Sequence, residues 1–244
     1  MTAAVELIGL TKRFGARTAV NALSFSVEQG VCLALLGQNG AGKTTVIRML
    51  SGLTAPTSGD AKLLGKSILD NLTLVQQTIN VSPQETAVAL RLSVRENLEL
   101  MARLYGAERQ QAQSMAQQQM EQFHLLDRAD ERASKLSGGL QRRLSIAMAL
   151  ISNPKVLFLD EPTLGLDVRA RRELWEHIRA LKGAITVLLT THYLEEAEVL
   201  ADQIAILDAG RLRAMGTLSQ LREQTGMDSL ENIFLNLTGE ADAS

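Results

Sequence analysis

Two periodicities take turns along the chain. Leu23, Phe25 and Val27 share one side of an extended stretch whose other side carries Ser24 and Ser26, the period-two pattern of a half-buried strand. Gly30 turns the chain, and residues 31–36 are then continuously apolar between bounding glycines. That run is too short for a buried helix and reads as a strand covered on both faces, as in a parallel sheet. Similar runs recur at 156–159, 186–190 and 204–207, and helical stretches at 168–181 and 194–201 lie between them. Strands and helices in alternation predict an α/β fold built on a parallel sheet. Residues 94–150 interrupt it: they are rich in Gln, Ala, Met, Leu and Arg, contain no plausible strand, and are predicted to form a helical insertion. Its Gln-rich part, 110–122, looks like low complexity, but these are good helix formers and Met115, Met120 and Phe123 recur at near-helical spacing. A solvated amphipathic helix is expected there, with no internal repeat anywhere and a loose tail at 239–244.

Composition narrows the function. The 244 residues suit one large domain or two small ones, and 45% hydrophobic with 21% charged residues excludes disorder over most of the length. Lys+Arg 25 against Asp+Glu 27 leaves a net charge of -2, so there is no general pull toward nucleic acid or anionic lipid, and no nucleic-acid partner is expected. Cys32 is the single cysteine, excludes an internal disulfide, and sits in an apolar run as a core residue. The opening residues lack a signal-peptide pattern and no apolar run approaches the ~18 residues of a membrane span, so an intracellular chain that does not itself cross the membrane is expected. His124, His177 and His192 are scattered without metal-ligand spacing, and no zinc site is expected.

The strongest chemical signal is contiguous. Gly37, Gln38, Asn39, Gly40, Ala41, Gly42, Lys43 and Thr44 spell G-x-x-x-x-G-K-[ST] between a buried strand and a helix over 44–50, the context this phosphate-binding loop requires. Glycines let the loop wrap a phosphate chain, backbone N–H groups and the helix start face its charge, Lys43 reaches the β/γ-phosphates, and the Thr44 hydroxyl ligates Mg²⁺. Thr45 is counted with the loop. Downstream, Asp160 and Glu161 leave the strand at 156–159, where ligands of open α/β sheets sit. Beside a phosphate loop, Asp160 suits the Mg²⁺ shell and Glu161 suits polarisation of the attacking water; alone, the pair reads as a solvated strand cap. A third element, Leu136-Ser137-Gly138-Gly139, places a Ser cap and two glycines before an apolar-periodic helix running to residue 150. It suits a second phosphate cradle, and in isolation equally a simple helix start.

Read together, Leu136 to Gly139 resemble the signature motif of the ATP-binding cassette (ABC) ATPases, and the likeness extends along most of the chain. The resemblance implies a P-loop NTPase (RecA-like) core with a parallel-rich sheet, an antiparallel N-terminal β-subdomain and an inserted α-helical subdomain. It implies one nucleotide-binding domain over 1–238, with core segments 1–86 and 154–220, insertion 87–153 and a C-terminal helix 228–238. It also assigns residues. Gln84 resembles the glutamine that touches Mg²⁺ and the nucleophilic water, Asp167 ends a Gly-Leu-Asp D-loop, His192 resembles the switch histidine at the γ-phosphate, and Phe14 the aromatic stacked on adenine. Two departures stand out: Leu140 replaces the signature's Gln, and Phe14 replaces a Tyr; neither removes a phosphate donor or a π-face. Longer stretches, residues 136–147, 191–198 and 230–239, resemble the daunorubicin-exporter and nodulation-factor-exporter branch of bacterial ABC transporters.

What the family implies is ATP with Mg²⁺ as cofactors, Ser137, Gly138 and Gly139 serving the ATP of a facing second copy, and a separate transmembrane permease as partner on the cytoplasmic face. A short permease helix is expected in the groove between core and insertion, lined in part by residues 87–92. The rival is a non-transport ABC ATPase of translation or DNA maintenance; tandem cassettes or a long coiled coil, its usual marks, are lacking. A GTPase is disfavoured by the missing Asn-Lys-x-Asp string.

Overall fold

The computed structural model describes residues 3–239, so all but the first residue of the expected loose tail lies outside the described residues. The chain begins with two long antiparallel strands, β1 (Ala3–Phe14) and β2 (Arg17–Glu28), and on β2 the alternation is realised: Leu23 and Val27 are buried while Ser24 and Ser26 face solvent. After β3 (Cys32–Leu36) and α1 (Lys43–Leu50), β4 (Ser58–Leu63) and β5 (Lys66–Ser67) complete an antiparallel sheet of order β2-β1-β4-β5. Then come α2 (Leu72–Gln76) and β6 (Ile79–Ser82), the helical segments α3 (Val94–Leu104), α4 (Arg109–Gln122) and α5 (Gly138–Leu150), and β7 (Val156–Asp160). The chain continues through α6 (Val168–Arg179), β8 (Thr186–Thr191), α7 (Leu194–Leu200), β9 (Gln203–Asp208), β10 (Arg211–Gly216), α8 (Leu218–Thr225) and α9 (Leu230–Thr238).

The second sheet has the order β10-β9-β3-β8-β7-β6 and is parallel except for β10. Its apolar strands are buried on both faces because alternate residues serve two cores. Cys32, Ala34, Leu36, Leu157, Leu159, Val187 and Leu189 pack on the helical side. Leu33, Leu35, Val156, Phe158 and Leu188 pack with α1 toward the antiparallel sheet. The fold therefore matches the P-loop NTPase architecture expected from sequence, with the parallel strands ending together along one rim.

Between β6 and β7 lies helical structure, with Met120 and Phe123 buried and Met115 half-buried along α4. Ser93 and Glu96 form a reciprocal capping box at the start of α3. Two details depart from expectation. The core was expected to end at 220, but that residue lies inside α8, whose Thr217–Gln220 capping box and left-handed Gly226 carried a legible helix signal. A groove of about 500 Å³ does lie between core and insertion, yet it is lined by Thr73, Gln76 and Gln77 on one side and Ala102, Tyr105 and Met115 among others on the other. None of residues 87–92 lines it, because Asn97 draws that segment onto α3 instead. Among the described residues no helix is long and apolar enough to cross a membrane.

Candidate functional site

The loop after β3 is held by close backbone approaches that only glycine permits. A Cβ on Gly37 would lie 2.5 Å from the Leu207 carbonyl oxygen, and one on Gly42 the same distance from that of Ala19; Gly42 moreover sits at φ +104°. Gly42 is the residue before α1 and offers no capping side chain, so the first amides of the helix face outward with the positive end of its dipole. Under the loop, Lys43 is only 5% exposed. Its Nζ donates to the carbonyl oxygens of Gly37 at 2.6 Å and Gln38 at 3.1 Å and pairs with Glu161 Oε1 at 3.2 Å.

Parallel register supplies the rest. Asp160 on β7 stands opposite Thr190 on β8, and Asp160 Oδ1 accepts from Thr190 Oγ1 at 2.5 Å and from Thr44 Oγ1 at 3.0 Å. Glu161 follows in the left-handed region at φ +48°, a conformation costing a non-glycine residue about 1 kcal/mol. Thr190 fixes it by accepting from the Glu161 N–H through both its hydroxyl (3.0 Å) and its carbonyl (3.2 Å). Glu161 Oε2 then meets His192 Nδ1 at 2.8 Å, so the two carboxylate oxygens face a lysine and a histidine respectively.

These groups border one cavity of about 560 Å³. Phe14, Gln38, Asn39, Gly40, Gly42, Lys43, Thr44, Thr45, Gln84, Glu161 and His192 all line it. Phe14 is 53% exposed, its ring 5.1 Å from Lys12 Nζ. Asp160 lies beneath the floor, Ala41 is buried behind the loop, and Gly37 borders a smaller adjoining cavity with His192 and Phe234. The other predicted residues are elsewhere. Ser137, Gly139 and Asp167 line a separate cavity of about 270 Å³ that shares no lining residue with the first, and Gly138 borders neither. There Ser137 caps α5 by accepting from the Leu140 N–H at 3.4 Å, and Asp167 caps α6 by accepting from Ala170 at 2.9 Å. A Cβ on Gly139 would come within 2.8 Å of the Ala170 Cβ, so glycine lets the two helix starts converge.

Sequence reasoning passed over Thr190, Arg17 and Arg142. Arg17 lines the larger cavity beside Phe14. Arg142, on α5 and 3% exposed, donates through Nε to Pro162 O (2.8 Å), through Nη1 to Pro83 O (2.5 Å) and Gln84 O (3.1 Å), and through Nη2 to Asp160 O (2.8 Å) and Glu161 O (2.9 Å). Burial pushes its guanidinium below the ordinary arginine value, opposed by the charges of Asp160, Glu196 and Glu161. Its partners are carbonyls, which every residue owns, so no spacing in the sequence announces them. Thr190 was legible only as part of an apolar strand.

Residues 20–164, which include the loop at 37–44, Ser137 to Gly139 and the Asp160–Glu161 pair, match the family described as ABC transporter. The chain belongs to that family. ABC ATP-binding proteins are ATPases, and this cassette is one of them. It is 41% identical over 242 residues to a daunorubicin resistance ATP-binding protein of Streptomyces coeruleorubidus, covering 99% of this chain and 76% of that protein. It is 42% identical over 231 residues to a Nod factor export ATP-binding protein I of Burkholderia lata, covering 94% and 76%. A dimeric structure of a post-hydrolysis state of an ATP-binding cassette, bound to ADP and Pi, superposes with a TM-score of 0.78 at 25% identity over 88% of this cassette and 98% of that chain.

Proposed function

We propose that the cassette is the ATP-hydrolysing subunit of a bacterial exporter. It binds MgATP between two copies arranged head to tail and drives a separate membrane permease from the cytoplasmic face. The observation that carries the reading is the division of phosphate-binding features between two cavities with no common lining. A cradle at Ser137 to Gly139 whose cavity shares no lining residue with that of its own chain's loop is accounted for by the nucleotide of a second copy, as the dimeric relative supports. The exporter branch is supported by the names of the relatives at 41% and 42% identity.

In this reading the amides of residues 38–45 and Lys43 hold the phosphates, Phe14 stacks on adenine, and Asp167 lies in the dimer contact. Thr44 and Asp160, a hydroxyl and a carboxylate in contact, are oxygen donors suited to the Mg²⁺ that accompanies ATP, with Gln84 at the cavity edge as a further oxygen. Glu161, oriented by His192, takes a proton from water as the water oxygen bonds to the γ-phosphorus and the bond to the β–γ bridging oxygen breaks, releasing ADP and phosphate. For this, Lys43 leaves Glu161 for the phosphates when the nucleotide binds, which frees the carboxylate for the water, and its charge stabilises the transferred group as the bond breaks. The permease docks on the insertion, where α3 leaves Leu100, Leu104 and Tyr105 exposed beside the groove to α2.

Glu161→Gln tests the chemistry and the assembly together. MgATP binding is retained while turnover falls on the order of 10²-fold or more, and sedimentation shows an ATP-dependent dimer. Full turnover removes Glu161 from its role; a variant that stays monomeric with saturating MgATP, alone and in its membrane complex, removes the sandwich. Single cysteines at Leu100, Leu104 and Tyr105 in a Cys32→Ser background crosslink to the co-expressed permease, and failure of any permease to co-purify defeats the transport assignment.

A further inference from the structure

We propose that Arg142 is a positioning residue for hydrolysis that ties the loops of one ATP cavity to the signature helix presented to the other, making the two ATP sites of a dimer cooperative. The inference rests on the head-to-tail arrangement proposed above. A guanidinium has five N–H donors, and Arg142 directs all of them at backbone carbonyls, two just after β6 (Pro83 and Gln84) and three at the exit of β7 (Asp160, Glu161 and Pro162). No carboxylate is consumed, so the side chains of Asp160 and Glu161 stay directed at Thr44 and His192. Neighbouring Arg143 behaves differently and makes an ordinary ion pair with Glu173.

Beta6 is the edge strand of the sheet, so beyond Ser82 the chain has no strand partner to hold it against the exit of β7. Arg142 supplies that hold, and one turn further along α5 the Ser145 hydroxyl meets Ser82 Oγ at 3.2 Å. The other side of Gln84 is looser. Asn97 grips Ala89 and Ser93, but among the described residues the backbone of 85–88 makes one hydrogen bond, Val88 N–H to the Thr86 carbonyl at 3.1 Å. A shift of Gln84 is therefore absorbed at 85–88 before it reaches α3, whereas toward α5 it is transmitted through the guanidinium. Ser137 lies five residues from Arg142 at the start of that helix, about 7.5 Å along a rigid axis. A change at Gln84 or Glu161 thus moves the cradle offered to the partner's ATP.

The test uses Arg142→Lys, which keeps the charge but replaces the planar fork with a point ammonium unable to span two strand exits. The folded variant is expected to bind MgATP as a monomer within about threefold of the unmodified chain, while kcat of the dimer falls about tenfold or more and the Hill coefficient for ATP drops toward ~1. Arg142→Met gives at least the same loss of cooperativity. Unchanged kcat and Hill coefficient in folded Arg142→Lys overturn the proposal. Should both variants fail to fold, hydrogen exchange on the unmodified protein, diluted until monomeric, decides it. MgATP must then alter protection at 137–143 together with the amide of Gln84, and a response confined to Gln84 overturns the tie. Absence of any ATP-dependent dimer in Glu161→Gln defeats the head-to-tail reading instead, and the monomer exchange experiment still judges the link through Arg142.

Discussion

At the start of α1, the loop over Lys43 is pressed against the carbonyls of Ala19 and Leu207, its lysine is buried, and that lysine contacts Gly37 and Gln38 of its own loop and Glu161 of the same chain. At the start of α5, Ser137 makes one long capping bond, Gly138 has nothing within 4 Å of where a Cβ would stand, and the bordering cavity is half the volume. The two helix starts offer similar free amides, yet one is completed by a lysine and carboxylates of its own chain and the other borders a cavity that none of those groups lines. The contrast teaches that a phosphate motif is recognisable from local backbone needs, whereas whose phosphate it serves depends on what the rest of the fold places opposite. Substitutions that should act on one helix start and spare the other test it.

The largest effect is expected for Lys43→Met. It should weaken MgATP binding about 100-fold or more and destabilise the fold on the order of 3 kcal/mol, because Glu161, itself buried, loses its cation. Adding Glu161→Gln should recover much of that stability, and a double-mutant cycle with additive losses would show that the pair is not coupled. Next comes Gly42→Ala, where the methyl meets the Ala19 carbonyl and φ +104° is strained: a loss of about 2 kcal/mol and at least tenfold in nucleotide affinity by calorimetry. Its counterpart, Gly138→Ala, should leave monomer affinity unchanged and stabilise by about 0.5–1 kcal/mol, since helix position and open space both accept the methyl.

Ser137→Ala is subtler. Loss of a long cap bond costs about 0.5–1 kcal/mol, a drop of roughly 1–4 °C in Tm. Monomer binding of MgATP should not move, while ATPase of the dimer should fall; a fall in monomer affinity would erase the division between the two cavities. The smallest effect is none at all. Burial pushes the Cys32 thiol up to about 12, so maleimide at pH 8 should leave the folded chain unlabelled and modify it once denatured.

Much of this molecule is written in short stretches. The strand at 31–36 is apolar throughout, and alternate burial into two cores follows from its period of two once helices are known to flank it. The loop at 37–44 carries its own explanation in glycine positions, and Asp160 and Glu161 stand where a buried strand must end. The α8 helix was legible too, in Thr217, Gln220 and Gly226, but its amphipathic run is too brief to stand out by periodicity. Residues 87–92 misled because an apolar run does not say whether it meets a groove or a neighbour; Asn97, whose amide holds Ala89 and Ser93, settled that.

Local sequence thus decided the strand and helix alternation, the phosphate loop and the capped helix starts, because each depends on side chains and φ angles within a few residues. Tertiary structure alone decided that β7 lies between β8 and β6, and hence that Thr190 holds Asp160 and that Arg142 can reach two strand exits at once. It alone separated the two cavities. Strand order is a property of the whole sheet, and the carbonyls that Arg142 binds are the same at every position of the chain, so neither leaves a pattern in the residues themselves.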